Sequence, residues 1–142
     1  MDYVFERDVL VRFHHCDPAG VAFYPEYFVL FNELFEDWFN LGLKINFARF
    51  HTRERLGFPV ARIECDFCSP TSVGETLRLR LSVKRIGTSS LTLKMQARGT
   101  GDELRVRAIF VVVLTSLDEW RPVPIAGDLL RKIQTYIPAV SH

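Results

Sequence analysis

The stretch from residue 13 to residue 40, FHHCDPAGVAFYPEYFVLFNELFEDWFN, decides the fold because a polar turn leads directly into a long aromatic segment. The turn carries Asp17, and Pro18 and Gly20 interrupt any regular element there. A helix is expected to begin near Pro25, since proline suits the first helical position. A helix start presents unpaired backbone N–H groups that hold a negative oxygen. An acid beside such a cradle is an arrangement suited to acyl transfer.

The apolar residues after the turn recur every three or four positions, which predicts an amphipathic helix over Pro25–Leu41. Its predicted buried face consists of Tyr27, Phe28, Phe31, Leu34, Phe35, Trp38 and Leu41. Gly42 supplies the predicted helix stop. The opposite face is acidic and makes Glu33 and Glu36 secondary catalytic candidates, although such a stripe is more often a solvated surface.

Alternation of apolar and polar residues predicts strands on both sides of this helix. The first strand spans Tyr3–Phe13, and its predicted apolar face is Tyr3, Phe5, Val9, Val11 and Phe13. Residues 43–60 are predicted to form a short helix and a loop. The later strands are Ala61–Ser69, Thr76–Ile86, Leu91–Arg98 and one that begins at Leu104, and a helical segment follows over Ile125–Ile137. This order predicts an α+β fold with an antiparallel sheet against the long helix.

The strand from Leu104 turns into the apolar run AIFVVVL at residues 108–114. A run of this kind is typical of a strand that is buried on both faces. We therefore expect another subunit to cover its second face.

The composition is that of a globular protein, and we expect one domain over residues 1–142. The hydrophobic share is 48%, and the 12 phenylalanines predict an aromatic core or subunit interface. No apolar run approaches the length of a membrane span, and the N-terminal residues lack the pattern of a signal peptide. A cytoplasmic protein without a membrane partner is predicted.

The cysteines and the adjacent histidines are candidates for metal binding or nucleophilic catalysis, but a structural role is the alternative for each. Cys65 and Cys68 have C-x-x-C spacing, but a strand would point them to opposite faces and no second pair completes a zinc site. His14 and His15 are expected to point apart, and an acid beside Cys16 disfavours its thiolate. We predict reduced cysteines and neither a metal nor another cofactor.

Basic residues concentrate in the middle of a chain whose formal net charge is only +1. Residues 73–107 contain 8 basic and 3 acidic residues, whereas residues 1–72 contain 7 basic and 11 acidic ones. This strip suits a small polyanion better than long nucleic acid, which would need a strongly basic domain. A solvated strand face is the alternative, and no nucleic-acid partner is predicted.

The segment HHCDPAGVAFYPEYFVLFNE at residues 14–33 resembles the signature of the 4-hydroxybenzoyl-CoA thioesterase family. The segment FCSPTSVGETLRLRL at residues 67–81 resembles that family's turn with a proline and a glycine-acid pair ahead of a long strand. Ala22 is a small departure, since the family more often has valine there. The resemblance implies a hotdog fold, in which a curved antiparallel sheet wraps one long helix and two subunits pair their sheets. It also implies acyl-CoA substrates and dimers that commonly form homotetramers.

The resemblance assigns roles to three residues of the turn. Asp17 would be the catalytic carboxylate, the backbone N–H of Tyr24 would polarise the thioester carbonyl, and Gly20 would keep the turn open to the substrate. Asp17 could attack directly as a nucleophile or activate a water as general base, and the sequence leaves both open. A turn aspartate or a helix N-cap is the structural alternative for Asp17.

The phosphates of CoA require basic partners, for which the strip offers Arg78, Arg80, Lys84, Arg85, Lys94 and Arg98. We favour Lys84 and Arg85, with hydrogen bonds from Ser89 and Ser90 at the next turn. In a shared dimer site, Thr71 and Ser72 of the partner chain would approach the acyl group.

An acyl-CoA thioesterase with an aromatic acyl group is therefore the favoured hypothesis. A thioesterase for short aliphatic acyl-CoA or acyl-carrier-protein substrates is the alternative of the same fold. A non-catalytic acyl-CoA-binding module is the alternative of a different class.

Overall fold

Helix α1 (Tyr24–Asp37) lies against the inner face of a five-stranded antiparallel sheet in the computed structural model, which describes residues 4–138. The strands in spatial order are β1 (Phe5–Leu10), β4 (Thr76–Ile86), β5 (Ser90–Arg98), β6 (Leu104–Val113) and β3 (Val60–Phe67). A small second sheet contains β2 (Leu56–Gly57), β7 (Thr115–Ser116) and β8 (Arg121–Pro122). Two shorter helices are α2 (Phe47–Thr52) and α3 (Gly127–Gln134). The predicted α+β fold is confirmed.

The strand predictions hold where alternation is strict. β4 has the predicted bounds, and its apolar residues Leu77, Leu79, Leu81 and Val83 are all buried. The first strand is wrong at its end, because the chain leaves the sheet after Leu10 and turns through a short 3-10 helix at Phe13–His15. Phe13 is consequently 82% exposed instead of buried. The predicted start at Tyr3 lies outside the described residues.

The core lies between the aromatic face of α1 and the sheet. Phe31 is fully buried, and its ring centroid lies 6.0 Å from that of Phe110 on β6 in an edge-to-face arrangement. Trp38 and Phe39 are also fully buried. The predicted helix face is confirmed except at Leu41, which is 44% exposed.

The end of the long helix differs from the prediction, because Gly42 does not stop it. The helix widens into π-helical turns over Trp38–Leu43, and the first left-handed residue is Lys44, with φ 60°. A Cβ at Gly42 would lie 2.8 Å from Tyr136 Oη and 2.9 Å from Trp38 Cδ1. Gly42 is therefore needed for close packing and not for a helix cap.

β3 and β6 leave apolar surface uncovered in the single chain. Ile109, Val111 and Val113 on the outer face of β6 are half-buried. β3 is an edge strand with only β6 beside it, and its inner-face residues Ile63 and Phe67 are 41% and 49% exposed. No helix within residues 4–138 is long and apolar enough to cross a membrane.

Candidate active site

The turn that carries Asp17 is a tight loop closed by backbone hydrogen bonds. The N–H of Phe23 donates to the His15 carbonyl at 2.9 Å, and the N–H of Asp17 donates to the Val21 carbonyl at 2.9 Å. Gly20 sits at its tip with φ 79°, a left-handed conformation that favours glycine. A Cβ there would meet no atom within 4 Å, so backbone conformation and not crowding requires the glycine.

Asp17 lies in this closed loop, and Tyr24 follows directly after it. One carboxylate oxygen of Asp17, Oδ1, accepts the N–H of Ala19 at 2.9 Å, while Oδ2 has no hydrogen-bond partner among the described residues. Tyr24 begins α1, and its N–H has no acceptor in the described part of the chain. Phe23 is the N-cap residue and gives no side-chain cap, so the N-cap alternative for Asp17 is wrong. The turn therefore carries a half-buried carboxylate with one free oxygen, and it leads into a helix whose first N–H is unpaired among the described residues.

The histidines behave differently from the prediction. His14 and His15 do not point apart, because the 3-10 turn brings their ring centroids to 4.1 Å. His15 accepts the N–H of Arg12 at Nδ1, 2.9 Å away. Burial, and then the neighbouring His14, lowers the pKa of His15, which favours the neutral ring that accepts the N–H of Arg12. Cys16 lies in the same turn, where its thiol contacts the carbonyl of Arg12 at 3.5 Å.

Thr71 is buried directly behind the turn. Its carbonyl accepts the N–H of Ala22 at 2.8 Å, and its hydroxyl accepts the phenol of Tyr27 at 3.0 Å. Burial raises the pKa of Tyr27, which keeps this phenol protonated as a donor. Thr71 is only 1% exposed, so the structure gives it a role inside the protein, and its contact with substrate stays a prediction. Ser72 is exposed beside it.

Arg105 and Glu75 form an ion pair next to Thr71 that the sequence did not indicate. Arg105 Nη2 lies 2.9 Å from Glu75 Oε1 and 2.6 Å from Glu103 Oε1. Hydrogen bonds from Arg105 hold the pKa of both carboxyl groups below its usual range, and the two carboxylates raise the pKa of Arg105. Glu75 appeared in the sequence only as part of a glycine-acid pair. Arg105 was not singled out from the sequence, because a sequence does not reveal a shift in strand register.

Aromatic rings border the free N–H of Tyr24. The Tyr24 ring packs edge-to-face against Phe67, with centroids 6.0 Å apart, and against Phe23 at 5.3 Å. All three rings are between 47% and 59% exposed. They form an open apolar surface beside the site, and the exposed end of β3 contributes to it through Phe67.

The basic residues divide into paired and unpaired groups. Arg78 pairs with Asp8 at 3.4 Å, and Arg80 pairs with Glu6 at 2.9 Å, so the middle of the strip is largely neutralised. The predicted CoA-binding residues Lys84 and Arg85 are exposed and make no ion pair within residues 4–138. They lie near the far end of β4, roughly 25 Å from the turn at the rise of a strand.

Ser89 and Ser90 lie at that same far end, where Ser90 pairs with Val113. The structure therefore does not bring the predicted phosphate-binding residues to the Asp17 turn within one chain.

A groove of about 520 Å³ runs along the exposed side of α1. Its lining includes Glu33, Glu36, Phe58, Val60 and Trp120 but neither Asp17 nor Tyr24. Glu33 and Glu36 are thus exposed on a concave surface that is separate from the turn.

No group of three or more His, Cys, Asp or Glu side chains is arranged to hold a metal ion in the described range 4–138. Cys65 and Cys68 are free thiols. Burial raises the pKa of Cys65 to about 11, which makes it a poor nucleophile.

The helix, the sheet that wraps it and the carboxylate turn at the helix start define a hotdog-fold protein of the thioester-hydrolase class. Residues 11–133 match the thioesterase-like superfamily, and the chain belongs to that family. The match does not single out the 4-hydroxybenzoyl-CoA enzymes that the turn resembles.

Curated relatives are named for a different aromatic thioester. The 1,4-dihydroxy-2-naphthoyl-CoA hydrolase of Acaryochloris marina is 26% identical over 134 residues, which cover 92% of this chain and 96% of that protein. The enzyme of the same name from Nostoc punctiforme is 28% identical over 93 residues, and the match spans only 61% of its length. Among solved structures, a thioesterase-superfamily protein from Jannaschia sp. CCS1 superposes with a TM-score of 0.86 at 28% identity, covering 98% of this chain and 96% of that one.

Proposed function

We propose that this protein hydrolyses an aromatic acyl-CoA thioester to the free acid and CoA. The observation that carries the proposal is a free Oδ2 of Asp17 in the turn that leads directly to the unpaired N–H of Tyr24. Thioester hydrolysis needs an oxygen nucleophile at the carbonyl carbon and a donor where the oxyanion develops. The two groups supply these requirements from one loop.

The reaction follows from these two groups. The thioester carbonyl oxygen accepts the N–H of Tyr24, and the positive end of α1 favours the negative charge that develops there. Asp17 either attacks the carbonyl carbon or takes a proton from a water that attacks it. If Asp17 attacks, the C–S bond breaks to give an acyl-aspartyl anhydride and CoA thiolate, and water then hydrolyses the anhydride to the acid, restores Asp17 and supplies a proton for the thiolate. If a water attacks, Asp17 takes its proton, the C–S bond breaks, and that proton passes to the departing CoA thiolate. Gly20 leaves the approach to the turn free of side-chain atoms.

Two observations favour an aromatic acyl group. Exposed rings of Phe23, Tyr24 and Phe67 border the helix start, and aromatic rings pack favourably edge-to-face or offset. The curated relatives are named for 1,4-dihydroxy-2-naphthoyl-CoA, a bicyclic aromatic ester. Hydroxybenzoyl-CoA is the smaller substrate of the same class that the turn sequence suggests.

A homodimer that pairs the two β3 edges would complete the site. Antiparallel pairing places the start of one β3 against the end of the other, so the groove at Val60 would adjoin the partner's Tyr24. The same pairing brings the far end of the sheet, with Lys84, Arg85, Ser89 and Ser90, toward the partner's Asp17 turn. The extended pantetheine arm of CoA would bridge this distance. Further association of dimers into tetramers stays a prediction.

Replacing both unpaired basic residues, as Lys84→Gln with Arg85→Gln, is expected to raise KM for acyl-CoA by about 10-fold or more. Each removed charge-assisted phosphate contact is worth roughly 1.5–3 kcal/mol when desolvated and less when exposed. We expect kcat to change little, because neither residue touches the reacting carbonyl. Arg78→Gln is the matched control, since Arg78 already pairs with Asp8. An unchanged KM in the double variant would contradict the assignment.

The proposal is tested by thiol release from a panel of esters: 1,4-dihydroxy-2-naphthoyl-CoA, 4-hydroxybenzoyl-CoA, benzoyl-CoA, acetyl-CoA, hexanoyl-CoA and an acyl-carrier-protein thioester. We expect kcat/KM for the best aromatic ester to exceed that for the aliphatic esters by at least about 10-fold. A preference for aliphatic or carrier-protein esters would favour the alternative thioesterase. Binding of CoA esters without release of any thiol would favour a non-catalytic binding module.

A further inference from the structure

Arg105 is a buried arginine at a β-bulge, and its side chain contacts the loop over residues 70–75. It is the extra residue where the register of β5 and β6 shifts, between the pairs Ala97 with Val106 and Arg98 with Leu104. Its carbonyl accepts two N–H groups, from Cys68 and Ser69. A bulge re-aims the side chain of the extra residue. Arg105 is 8% exposed, whereas Arg107, two residues later, pairs with Asp66 on the exposed outer face.

The guanidinium of Arg105 fixes the loop over residues 70–75 at several points. Nη1 donates to the Pro70 carbonyl at 2.8 Å and lies 3.3 Å from the hydroxyl of Thr71. Nη1 and Nη2 also contact the two oxygens of Glu75, at 3.2 and 2.9 Å, in a bidentate pair. Glu75 in turn accepts the N–H of Ser72 at 2.6 Å. Both ends of this loop are therefore held to one buried cation.

This loop pairs with the segment over residues 20–22 of the Asp17 turn. The N–H of Ala22 donates to the Thr71 carbonyl at 2.8 Å, and the N–H of Val73 donates to the Gly20 carbonyl at 3.0 Å. Thr71 also joins the loop to α1, because its hydroxyl accepts the phenol of Tyr27 one turn after Tyr24. The Asp17 turn and helix α1 are therefore both hydrogen-bonded to the loop that Arg105 holds.

We infer that Arg105 is a positioning residue for the reaction, which acts through Glu75 and the loop over residues 70–75 to set the carboxylate of Asp17 against the N–H of Tyr24. Arg105 itself contacts neither group. Lysine would preserve the charge but not the planar fork, which makes five donors available in a fixed geometry. The inference rests on the proposed thioesterase function, for which Arg105 would position the reacting groups.

The predicted effect is on kcat, because a misplacement of about 1 Å at the reacting groups costs as much as 10²-fold in rate. We expect Arg105→Lys to lower kcat by about 10- to 100-fold while KM stays within about twofold, since Arg105 is placed away from the CoA-binding residues. Thr71→Val, which removes the hydroxyl shared by Arg105 and Tyr27, should also lower kcat. The double variant should lose less kcat than the product of the two separate fold-reductions, because both changes disturb the same contacts with the loop.

Two controls separate positioning from general stability. Arg107→Lys makes the same chemical change in the same strand at an exposed ion pair, and its kcat should equal that of the parent. Ile133→Val trims a fully buried side chain of α3 away from the loop and lowers stability without touching this path. Steady-state kinetics and urea midpoints are measured on all variants of the full chain.

The inference is overturned if Arg105→Lys retains the parent kcat, or if Ile133→Val loses as much kcat for the same loss in urea midpoint. If Arg105→Lys does not fold, Glu75→Gln takes its place, because it removes one charge from the same ion pair. Its kcat is then compared with that of the parent and of Ile133→Val in the same way. The parent enzyme is assayed first. Absence of turnover by the parent contradicts the proposed function, whereas an active parent with an unaffected Arg105→Lys contradicts this inference alone.

Discussion

Asp17→Asn is expected to lower kcat for aromatic acyl-CoA hydrolysis by about 10³-fold, within the range that loss of a general base or nucleophile produces. Asparagine retains a carbonyl oxygen at the position of Oδ1, so the hydrogen bond from the Ala19 N–H persists and the turn keeps its shape. What disappears is the negative charge and basicity of the free oxygen. KM should change little, because the carboxylate contributes to the transition state more than to the binding of CoA.

The experiment compares steady-state thiol release by the two proteins, and circular dichroism with a urea midpoint establishes that the fold is intact. Asp8→Asn provides the same chemical change on the outer edge of the sheet, where Asp8 pairs with Arg78, and should leave kcat unchanged. Hydrolysis by Asp17→Asn at the parent rate would show that another group performs the chemistry.

Ile63→Lys is expected to convert the proposed dimer into monomers and to lower kcat/KM by about 100-fold or more, because the proposed partner contacts to the CoA phosphates would be lost. Ile63 is 41% exposed on the free edge strand β3, so a lysine there is tolerated by the single chain. In a paired β3 edge the two lysine charges would lie close together and oppose association.

Analytical ultracentrifugation gives the oligomeric state, and the same samples are assayed for activity. Ile63→Val keeps an apolar β-branched side chain and should retain both the dimer and its activity. A fully active monomer of Ile63→Lys would contradict a site shared between subunits, and a parent that is itself monomeric and active would do the same.

The features that sequence reasoning found are those that local physics determines. Strict alternation from Thr76 to Ile86 gave β4 its bounds, since a half-buried strand must alternate. The position of Asp17 ahead of a helix followed from Pro18, Gly20 and Pro25, whose backbone preferences act over a few residues. The helix began one residue before the prediction, at Tyr24.

The features that it missed depend on contacts between distant segments. Arg105 reaches the loop over residues 70–75 because one strand contains one residue more than its neighbour, and alternation carries no sign of that shift. Gly42 looked like a helix stop, but it is required by the close approach of Tyr136, which lies much further along the chain, as well as by Trp38 of the same helix. The separation of Lys84 from Asp17 follows from strand direction, which is known only when the pairing is known.

The most direct test of the central claim is the rate at which the purified full chain releases CoA thiol from 1,4-dihydroxy-2-naphthoyl-CoA and 4-hydroxybenzoyl-CoA. We predict kcat/KM of about 10⁴ M⁻¹s⁻¹ or more for at least one of them, the lower end of the range for enzymes acting on their own substrates. A protein that binds these esters, measured by calorimetry, and releases no thiol from either of them or from the aliphatic esters would contradict the account.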